Sequence, residues 1–251
     1  MNFKELHTQK TPLLLGNVWD VPSAKTAEKL GLQAIGTSSA AIASLLGYPD
    51  GEEMDFSELT YFVKRIAANT HLPLSVDLES GYSRNPASIA KHIKELVTLG
   101  VVGVNIEDSV VTDKRTLLDA VEFANTMGEI NNLLSREDIN VFINVRTDTF
   151  LLGDPKPLAT TKKRIQLYEK AGAHGIFTPG IENESDIREI VTCTQLPINV
   201  MCMPNLPSFE ILKEIGVQRI SMGNFLFDKM YSQLKNTTKK IIDQQSFQSI
   251  F

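Results

Sequence analysis

The stretch PASIAKHIKELVTLGVVGVNIE, residues 86–107, contains a helix pattern, a turn signal and a strand pattern in direct succession. Apolar residues, among them Ile89 and Ile93, recur at helical spacing in its first half. Gly100 follows where helices commonly end in a left-handed residue. The apolar run after it, Gly103–Ile106, predicts a buried strand. The stretch therefore predicts one helix-to-strand unit of an α/β protein.

The same order recurs along the chain. Three other helix patterns end in the same way, at Lys29-Leu30-Gly31-Leu32, Lys170-Ala171-Gly172-Ala173 and Glu214-Ile215-Gly216-Val217. We predict strands at Pro12–Leu15, Ala34–Thr37, Leu74–Val76, Gly103–Ile106, Asn140–Val145, Gly175–Thr178, Ile198–Met201 and Arg219–Met222. We predict helices at Ser23–Leu30, Phe56–Asn69, Pro86–Leu99, Thr116–Asn131, Pro157–Ala171, Glu184–Val191 and Pro207–Ile215.

Eight strands alternating with helices indicate a closed (β/α)₈ TIM barrel of class α/β. An open doubly wound sheet is the alternative, but no G-x-G-x-x-G follows the first strand. We expect residues 1–251 to form a single barrel domain. The apolar side chains within residues 231–251 suggest a C-terminal helical extension that packs on its own barrel or on a neighbouring subunit.

The composition narrows the class of protein. The chain has 251 residues, of which 42% are hydrophobic and 22% charged, with a formal net charge of -5. This charge argues against a general nucleic-acid binder. No run is apolar enough for a signal peptide or a membrane helix. Cys193 and Cys202 provide no disulfide framework, so we expect a cytoplasmic protein.

Acidic residues gather at the ends of two neighbouring predicted strands. Chemistry in this architecture lies at the C-terminal ends of the strands, where Asp77, Glu79 and Glu107 occur. Residues two apart in a strand point to the same side, so Asp77 and Glu79 are expected on one face. Several close carboxylates need a cation, and oxygen ligands favour Mg²⁺, with Mn²⁺ as the alternative. For Asp108 and Asp148 we expect helix capping instead.

The neighbouring strand ends provide groups suited to an anionic substrate. Arg146 presents a planar fork that matches a carboxylate or phosphate, although an ion pair with Glu107 or Asp148 is the alternative. Small residues at the end of the second strand expose backbone N–H groups to an anion. The residues that we expect at this mouth are Trp19, Ser38, Ser39, Ala40, Tyr48, Asp50 and Asn199. The sequence thus predicts a divalent metal that holds a small carboxylate-bearing oxyacid.

At these residues the sequence resembles the isocitrate lyase/phosphoenolpyruvate mutase family over most of the chain. The matching stretches are Gly16-Asn17-Val18-Trp19-Asp20, Thr37-Ser38-Ser39-Ala40, Gly47-Tyr48-Pro49-Asp50-Gly51, Val76-Asp77-Leu78-Glu79-Ser80-Gly81-Tyr82, Gly103-Val104-Asn105-Ile106-Glu107-Asp108-Ser109 and Asn144-Val145-Arg146-Thr147-Asp148. The resemblance implies a barrel whose terminal helix is swapped between subunits of a homodimer or homotetramer. It also implies Mg²⁺ and a 2-oxo or 2-hydroxy acid whose C–C or C–P bond is cleaved or formed through an enolate-like species.

The resemblance also implies individual roles. Asp77 corresponds to the direct metal ligand, and Asp50, Glu79 and Glu107 hold metal-bound waters. Arg146 and the backbone of residues 38–40 bind the substrate carboxylate. For acid–base work, which the resemblance does not assign, our candidates are Glu107, Asp50, a metal-bound water and Tyr48.

The family's lyases carry a Lys-Lys-Cys-Gly-His loop after the fourth strand, where this chain has Val110-Val111-Thr112-Asp113-Lys114-Arg115-Thr116. The resemblance therefore leaves three functions open. Lyase, decarboxylase or hydrolase chemistry at a C–C bond comes first. Phosphonate C–P chemistry of the phosphoenolpyruvate or carboxyphosphonoenolpyruvate mutase type comes second. A barrel that binds metal and oxyacid without turnover is the third.

Overall fold

Eight parallel strands close into a barrel. The structure, a computed structural model, describes residues 2–251. Around the barrel the strands follow the order β1, β2, β3, β4, β7, β8, β9 and β10. Their bounds are β1 Leu13–Val18, β2 Ile35–Thr37, β3 Leu74–Asp77, β4 Val101–Glu107, β7 Phe142–Arg146, β8 Gly175–Phe177, β9 Ile198–Met201 and β10 Arg219–Ser221. The predicted barrel is confirmed.

Helices surround the barrel and cover the outer faces of its strands. Their bounds are α1 Val21–Lys29, α2 Ser39–Leu46, α3 Phe56–Ala67, α4 Pro86–Thr98, α5 Ala120–Arg136, α6 Pro157–Lys170, α7 Glu184–Thr192, α8 Phe209–Ile215 and α9 Phe225–Gln244. Each of the seven predicted helices is present, with ends shifted by a few residues. Gly100 and Gly216 adopt φ values of 92° and 97°, so both end their helices in the expected left-handed conformation. No helix within residues 2–251 is both long and apolar enough to cross a bilayer.

One helix and one hairpin lie where no helix or strand was predicted. Helix α2 begins directly after β2. Strands β5 (Ser109–Val111) and β6 (Arg115–Leu117) form an antiparallel hairpin directly after β4. Because β6 occupies residues expected to start a helix, α5 begins only at Ala120, after its N-cap Asp119.

The barrel interior is layered. An apolar cluster of Phe3, Leu6, Leu13, Leu15, Ala34 and Phe142 fills its base. Above it, three amides from β4, β7 and β9 are hydrogen-bonded across the interior: Asn144 Nδ2 donates to Asn105 Oδ1 at 2.9 Å and to Asn199 Oδ1 at 3.2 Å. Arg219 lies in this polar layer, 1% exposed, and donates to Asn105 Oδ1 at 3.4 Å. The interior is thus closed below and polar towards the mouth.

The C-terminal extension belongs to one helix. Helix α9 runs from Phe225 to Gln244 without interruption, so residue 231 lies within it. Phe227 is buried, whereas Leu234 and Ile242 are 59% and 63% exposed. The first turn of α9 therefore contacts the barrel, and the later turns carry uncovered apolar side chains.

Candidate active site

Asp77 is fixed at the mouth by the end of β2. Its backbone N–H donates to Thr37 Oγ1 at 2.8 Å, and its Oδ2 accepts from Ser39 Oγ at 2.8 Å. Both partners belong to the segment that ends β2 and begins α2. The neighbouring strand and helix therefore orient the Asp77 carboxylate.

Glu79 reaches the same mouth from a turn. Strand β3 ends at Asp77, so the prediction that strand alternation places both acids on one face is wrong. Glu79 has a φ of 49° and Tyr82 a φ of 55°, a conformation that non-glycine residues rarely adopt and that often marks functional sites. Glu79 Oε1 accepts from Tyr82 Oη at 3.0 Å, whereas Oε2 has no hydrogen-bond partner within residues 2–251.

The electrostatics of Glu79 show that the acids converge. Two effects together raise the pKa of Glu79 to about 8: burial is the larger, and the nearby carboxylates of Asp50, Asp77 and Glu107 add to it. The four acids that the resemblance assigns to the metal therefore lie close enough to influence one another electrostatically. Their role as metal ligands stays a prediction.

Arg146 lies beside the acids at the end of β7. Its guanidinium contacts Glu107 Oε2 at 3.0 Å and donates to Asp148 Oδ1 and Oδ2 at 2.6 and 3.1 Å. Burial alone lowers the pKa of Arg146, but Glu107 and Asp148 outweigh this and hold it well above its usual range. The predicted alternative, an ion pair with Glu107 or Asp148, is therefore present, and the guanidinium still lies at the mouth.

The helix-capping expectation for Asp108 and Asp148 is wrong. Asp148 is fully buried and accepts from Ser109 Oγ at 2.5 Å as well as from Arg146. Asp108 contacts Arg164 Nη1 at 2.9 Å and Tyr168 Oη at 2.7 Å, on helix α6. Both acids serve as counter-ions for arginines that are largely removed from solvent: Asp148 pairs with Arg146, two residues earlier, and Asp108 pairs with the distant Arg164.

Arg115 is the functional candidate that sequence reasoning missed. From β6 its guanidinium contacts Asp50 Oδ2 at 2.7 Å, Asp148 Oδ2 at 3.6 Å and the carboxylate of Glu107. It also donates to Ser109 Oγ at 3.2 Å. The available signal was the two short strand-like runs on either side of residues 112–114, which would have identified a hairpin.

The expected anion cradle is the N-terminus of α2. Ser38 caps this helix by accepting from Ala41 N–H at 3.4 Å. The N–H groups of Ser39 and Ala40 belong to the first turn, where they have no partners within the helix. Such an end favours a carboxylate or phosphate through its dipole and its N–H donors.

Three predicted residues do not join the acid cluster. Tyr48 Oη donates to Glu58 Oε1 at 3.4 Å. Trp19 packs edge-on against Phe227 of α9, with ring centroids 5.3 Å apart. Asn199 belongs to the amide layer below the mouth and also donates to Ser221 Oγ at 3.1 Å.

The donor set suits a hard divalent cation held largely through water. Within residues 2–251, no three His, Cys, Asp or Glu side chains converge into a ready-made metal cage. Mg²⁺ usually keeps several waters and uses one or two carboxylates, so it does not need such a cage. The unpartnered Glu79 Oε2 leaves one acceptor free for a cation or its water. Five carboxyl groups, those of Asp50, Asp77, Glu79, Glu107 and Asp148, also outnumber the guanidinium groups of Arg115, Arg146 and Arg219 that interact with them.

The chain is similar to several known proteins over most of its length. Oxaloacetate decarboxylase 1 of Pseudomonas fluorescens Pf0-1 is 30% identical, with 97% of this chain and 84% of the relative covered. An uncharacterized protein of Mycobacterium tuberculosis is 34% identical, with 89% and 82% covered. A solved Burkholderia cenocepacia J2315 structure, provisionally described as a phosphonomutase, is 35% identical with a TM-score of 0.88, covering 94% of this chain and 97% of that one. The profile of the phosphoenolpyruvate phosphomutase family matches residues 3–242, and the chain belongs to this family.

Proposed function

We propose that this protein is a Mg²⁺-dependent enzyme that acts on a small 2-oxo or 2-hydroxy carboxylic acid and cleaves or forms a C–C bond. The observation that carries the proposal is the cluster of Asp50, Asp77, Glu79 and Glu107 beside Arg146 at the mouth of the barrel. The similarity to oxaloacetate decarboxylase 1 supports oxaloacetate as the first substrate to test.

Asp77 would bind Mg²⁺ directly, and Asp50, Glu79 and Glu107 would hold its water ligands. Mn²⁺ could replace Mg²⁺, because both prefer oxygen ligands. Bound there, the cation would act as a Lewis acid for the 2-oxo oxygen and stabilise the negative charge of an enolate-like species. The unpartnered oxygen of Glu79 and the excess of carboxylates support this assignment.

The chain's own residues would hold the substrate. Arg146 and the first N–H groups of α2 present donors to a carboxylate on two sides of the mouth. With oxaloacetate, the bond between C3 and the C4 carboxylate would break and release carbon dioxide, and C3 would then take up a proton. Glu107 or Asp50 would supply it, whereas Tyr48 is the weaker candidate because its hydroxyl faces Glu58.

Phosphonate chemistry is the second candidate function. The matching family is described as phosphoenolpyruvate phosphomutase, and the Burkholderia structure carries a phosphonomutase description. Arg146 and an α-helix N-terminus suit a phosphonate as well as a carboxylate. A substrate panel is therefore needed to separate the two.

A binding assay tests the shared site first. We expect Mg²⁺ together with oxalate, a mimic of enolpyruvate, to raise the melting temperature, and Asp77→Ala to remove this rise. Glu53→Ala, on an exposed glutamate of the loop before α3, is the matched control and should keep the rise. The absence of a shift in the unmodified protein would refute the metal–oxyacid site.

A turnover assay tests the reaction. Oxaloacetate, citramalate, methylisocitrate, dimethylmalate and phosphonopyruvate would be supplied with Mg²⁺, and product formation measured for each. Carbon dioxide release from oxaloacetate would support the decarboxylase proposal, and turnover of phosphonopyruvate alone would favour phosphonate chemistry. If none of the five compounds gives a product while oxalate still binds, the protein is a non-catalytic barrel.

We further propose that the protein is a homodimer or homotetramer that buries the exposed apolar side chains of α9 and of the residues after it. The exposed apolar residues of this segment are Phe225, Leu226, Met230, Tyr231, Leu234, Ile242, Phe247, Ile250 and Phe251. Exposed apolar side chains in this number favour a partner surface. Light scattering should show a multimer that Leu234→Asp with Ile242→Asp converts to a monomer, whereas Lys240→Asp, on the opposite side of α9, should leave the mass unchanged. A monomeric unmodified protein would refute this.

We also propose a cytoplasmic location. Cys193 and Cys202 are free thiols, and this supports a reducing compartment. Fractionation of cells that express a tagged full chain would test it.

A further inference from the structure

The side chain of Arg115 connects the hairpin β5–β6 to the mouth of the barrel. The guanidinium of Arg115 is shared among Asp50, which follows α2, Glu107 at the end of β4, and Asp148, which follows β7. The Arg115 side chain is only 14% exposed. It therefore joins three separate chain segments across the site.

The hairpin is also packed directly against the loop that carries Asp50. Gly51 has a φ of 123°, and a Cβ atom at this position would lie 2.6 Å from Val111 Cβ on β5. The side chain of Val111 thus touches the backbone next to Asp50. The Arg115 ion pair and the Val111 contact fasten the same loop to the same hairpin.

Arg115 and a divalent cation need the same carboxylates. Asp50 and Glu107 are two of the acids that would hold the water ligands of Mg²⁺ under the proposed function. Their oxygen lone pairs now accept from Arg115. Two positive groups at such short range would also repel each other.

We propose that Arg115 is a positioning residue that competes with the divalent cation for Asp50 and Glu107, so that cation binding releases Arg115 and loosens the hairpin from the mouth. This inference rests on the proposed function, because the cation is the same. In the metal-free protein, Arg115 neutralises Asp50 and Glu107, and its ion pairs hold the hairpin over the mouth.

A purely structural role makes the opposite prediction. If Arg115 only orders the acids, its removal should disturb them and weaken cation binding. If Arg115 competes, its removal frees Asp50 and Glu107 and strengthens cation binding. The direction of the change in affinity therefore separates the two explanations.

Calorimetric titration with Mn²⁺, without substrate, measures this direction. We expect Arg115→Gln to bind Mn²⁺ about tenfold more tightly than the unmodified protein, which corresponds to about 1.4 kcal/mol. Arg115→Lys should lie between them, because it keeps the charge but loses the fork. Arg84→Gln is the matched control, since Arg84 pairs with Glu52 of the same loop at 2.6 Å and should leave the affinity unchanged.

Unchanged or weaker Mn²⁺ binding by Arg115→Gln, with binding by the unmodified protein intact, would overturn this inference and leave the proposed function standing. The absence of Mn²⁺ binding in both proteins, with or without oxalate, would overturn both.

Trypsin cleavage after the exposed Lys114, at the tip of the hairpin, reports the movement. The rate of formation of the fragment that ends at Lys114 should rise several-fold when Mn²⁺ is added to the unmodified protein. In Arg115→Gln it should be high with or without Mn²⁺. Slower cleavage of the unmodified protein in the presence of Mn²⁺ would contradict the release of the hairpin.

Discussion

Replacing Glu79 by glutamine should stabilise the metal-free protein, and the gain should grow with pH. Glu79 is 2% exposed, and burial among Asp50, Asp77 and Glu107 raises its pKa from 4.5 to about 8. The folded state therefore keeps a proton that the unfolded state loses above pH 4.5. Since the folded state binds more protons in this window, the free energy of unfolding falls as pH rises from about 4.5 to about 8.

The magnitude follows from the two pKa values. Each pH unit between 4.5 and about 8 lowers the free energy of unfolding by about 1.36 kcal/mol, so the complete ionisation of Glu79 lowers it by about 5 kcal/mol. Glu79→Gln stays neutral and can keep the hydrogen bond from Tyr82. We expect the free energy of unfolding of the variant to exceed that of the unmodified protein by less than about 1 kcal/mol at pH 5 and by about 3–5 kcal/mol at pH 9.

Urea unfolding in EDTA at several pH values between 5 and 9 measures the difference. Glu53→Gln, on an exposed side chain in the loop before α3, is the control and should follow the unmodified protein at every pH. Parallel pH profiles for Glu79→Gln and the unmodified protein would refute the reasoning, because the buried acid would then carry no pH-dependent penalty. A loss of stability at pH 9 would refute it as well.

Three further outcomes follow from contacts around the mouth. Asp108→Asn should lower the free energy of unfolding by about 3–5 kcal/mol in urea titrations, because Arg164 would remain buried without its counter-ion. Gly51→Ala should lower it by about 1–3 kcal/mol, since the added Cβ would meet Val111 at a φ of 123°; Val111→Ala in the same chain should recover part of the loss. Arg146→Lys should raise KM for the active substrate of the panel by about tenfold or more, because an ammonium group cannot present the planar fork; an unchanged KM would remove Arg146 from the substrate site.

The strands and helices of the barrel could be predicted because their signals are local. Apolar spacing and a glycine after the helix, as at Gly100 and Gly216, depend on residues within a few positions of each other. The order of the acids along the chain was informative for a related reason. In a parallel barrel every strand ends at the same rim, so Asp77 and Glu107 had to be neighbours once β3 and β4 paired.

The partners of the charged side chains could not be predicted in the same way. Asp108 followed by Ser109 looks like a helix cap in the sequence, but its partners Arg164 and Tyr168 lie more than fifty positions away. Arg115, the first residue of β6, follows a short polar run whose composition is typical of solvent-exposed segments, and its partner Asp50 is 65 residues earlier. Local composition carries no information about such pairs.

The sequence by itself determined the class of the fold, the rim at which the acids gather, and the family to which the chain belongs. These follow from the spacing of apolar residues, the glycines at helix ends and the order of motifs, all of which depend only on positions along the chain. Only the tertiary structure decided that Glu79 enters the site from a left-handed turn, that Asp148 neutralises Arg146, and that Arg115 closes over Asp50 and Glu107. Charges pair through space, and their pairing depends on which side chains share a buried volume after the barrel has closed.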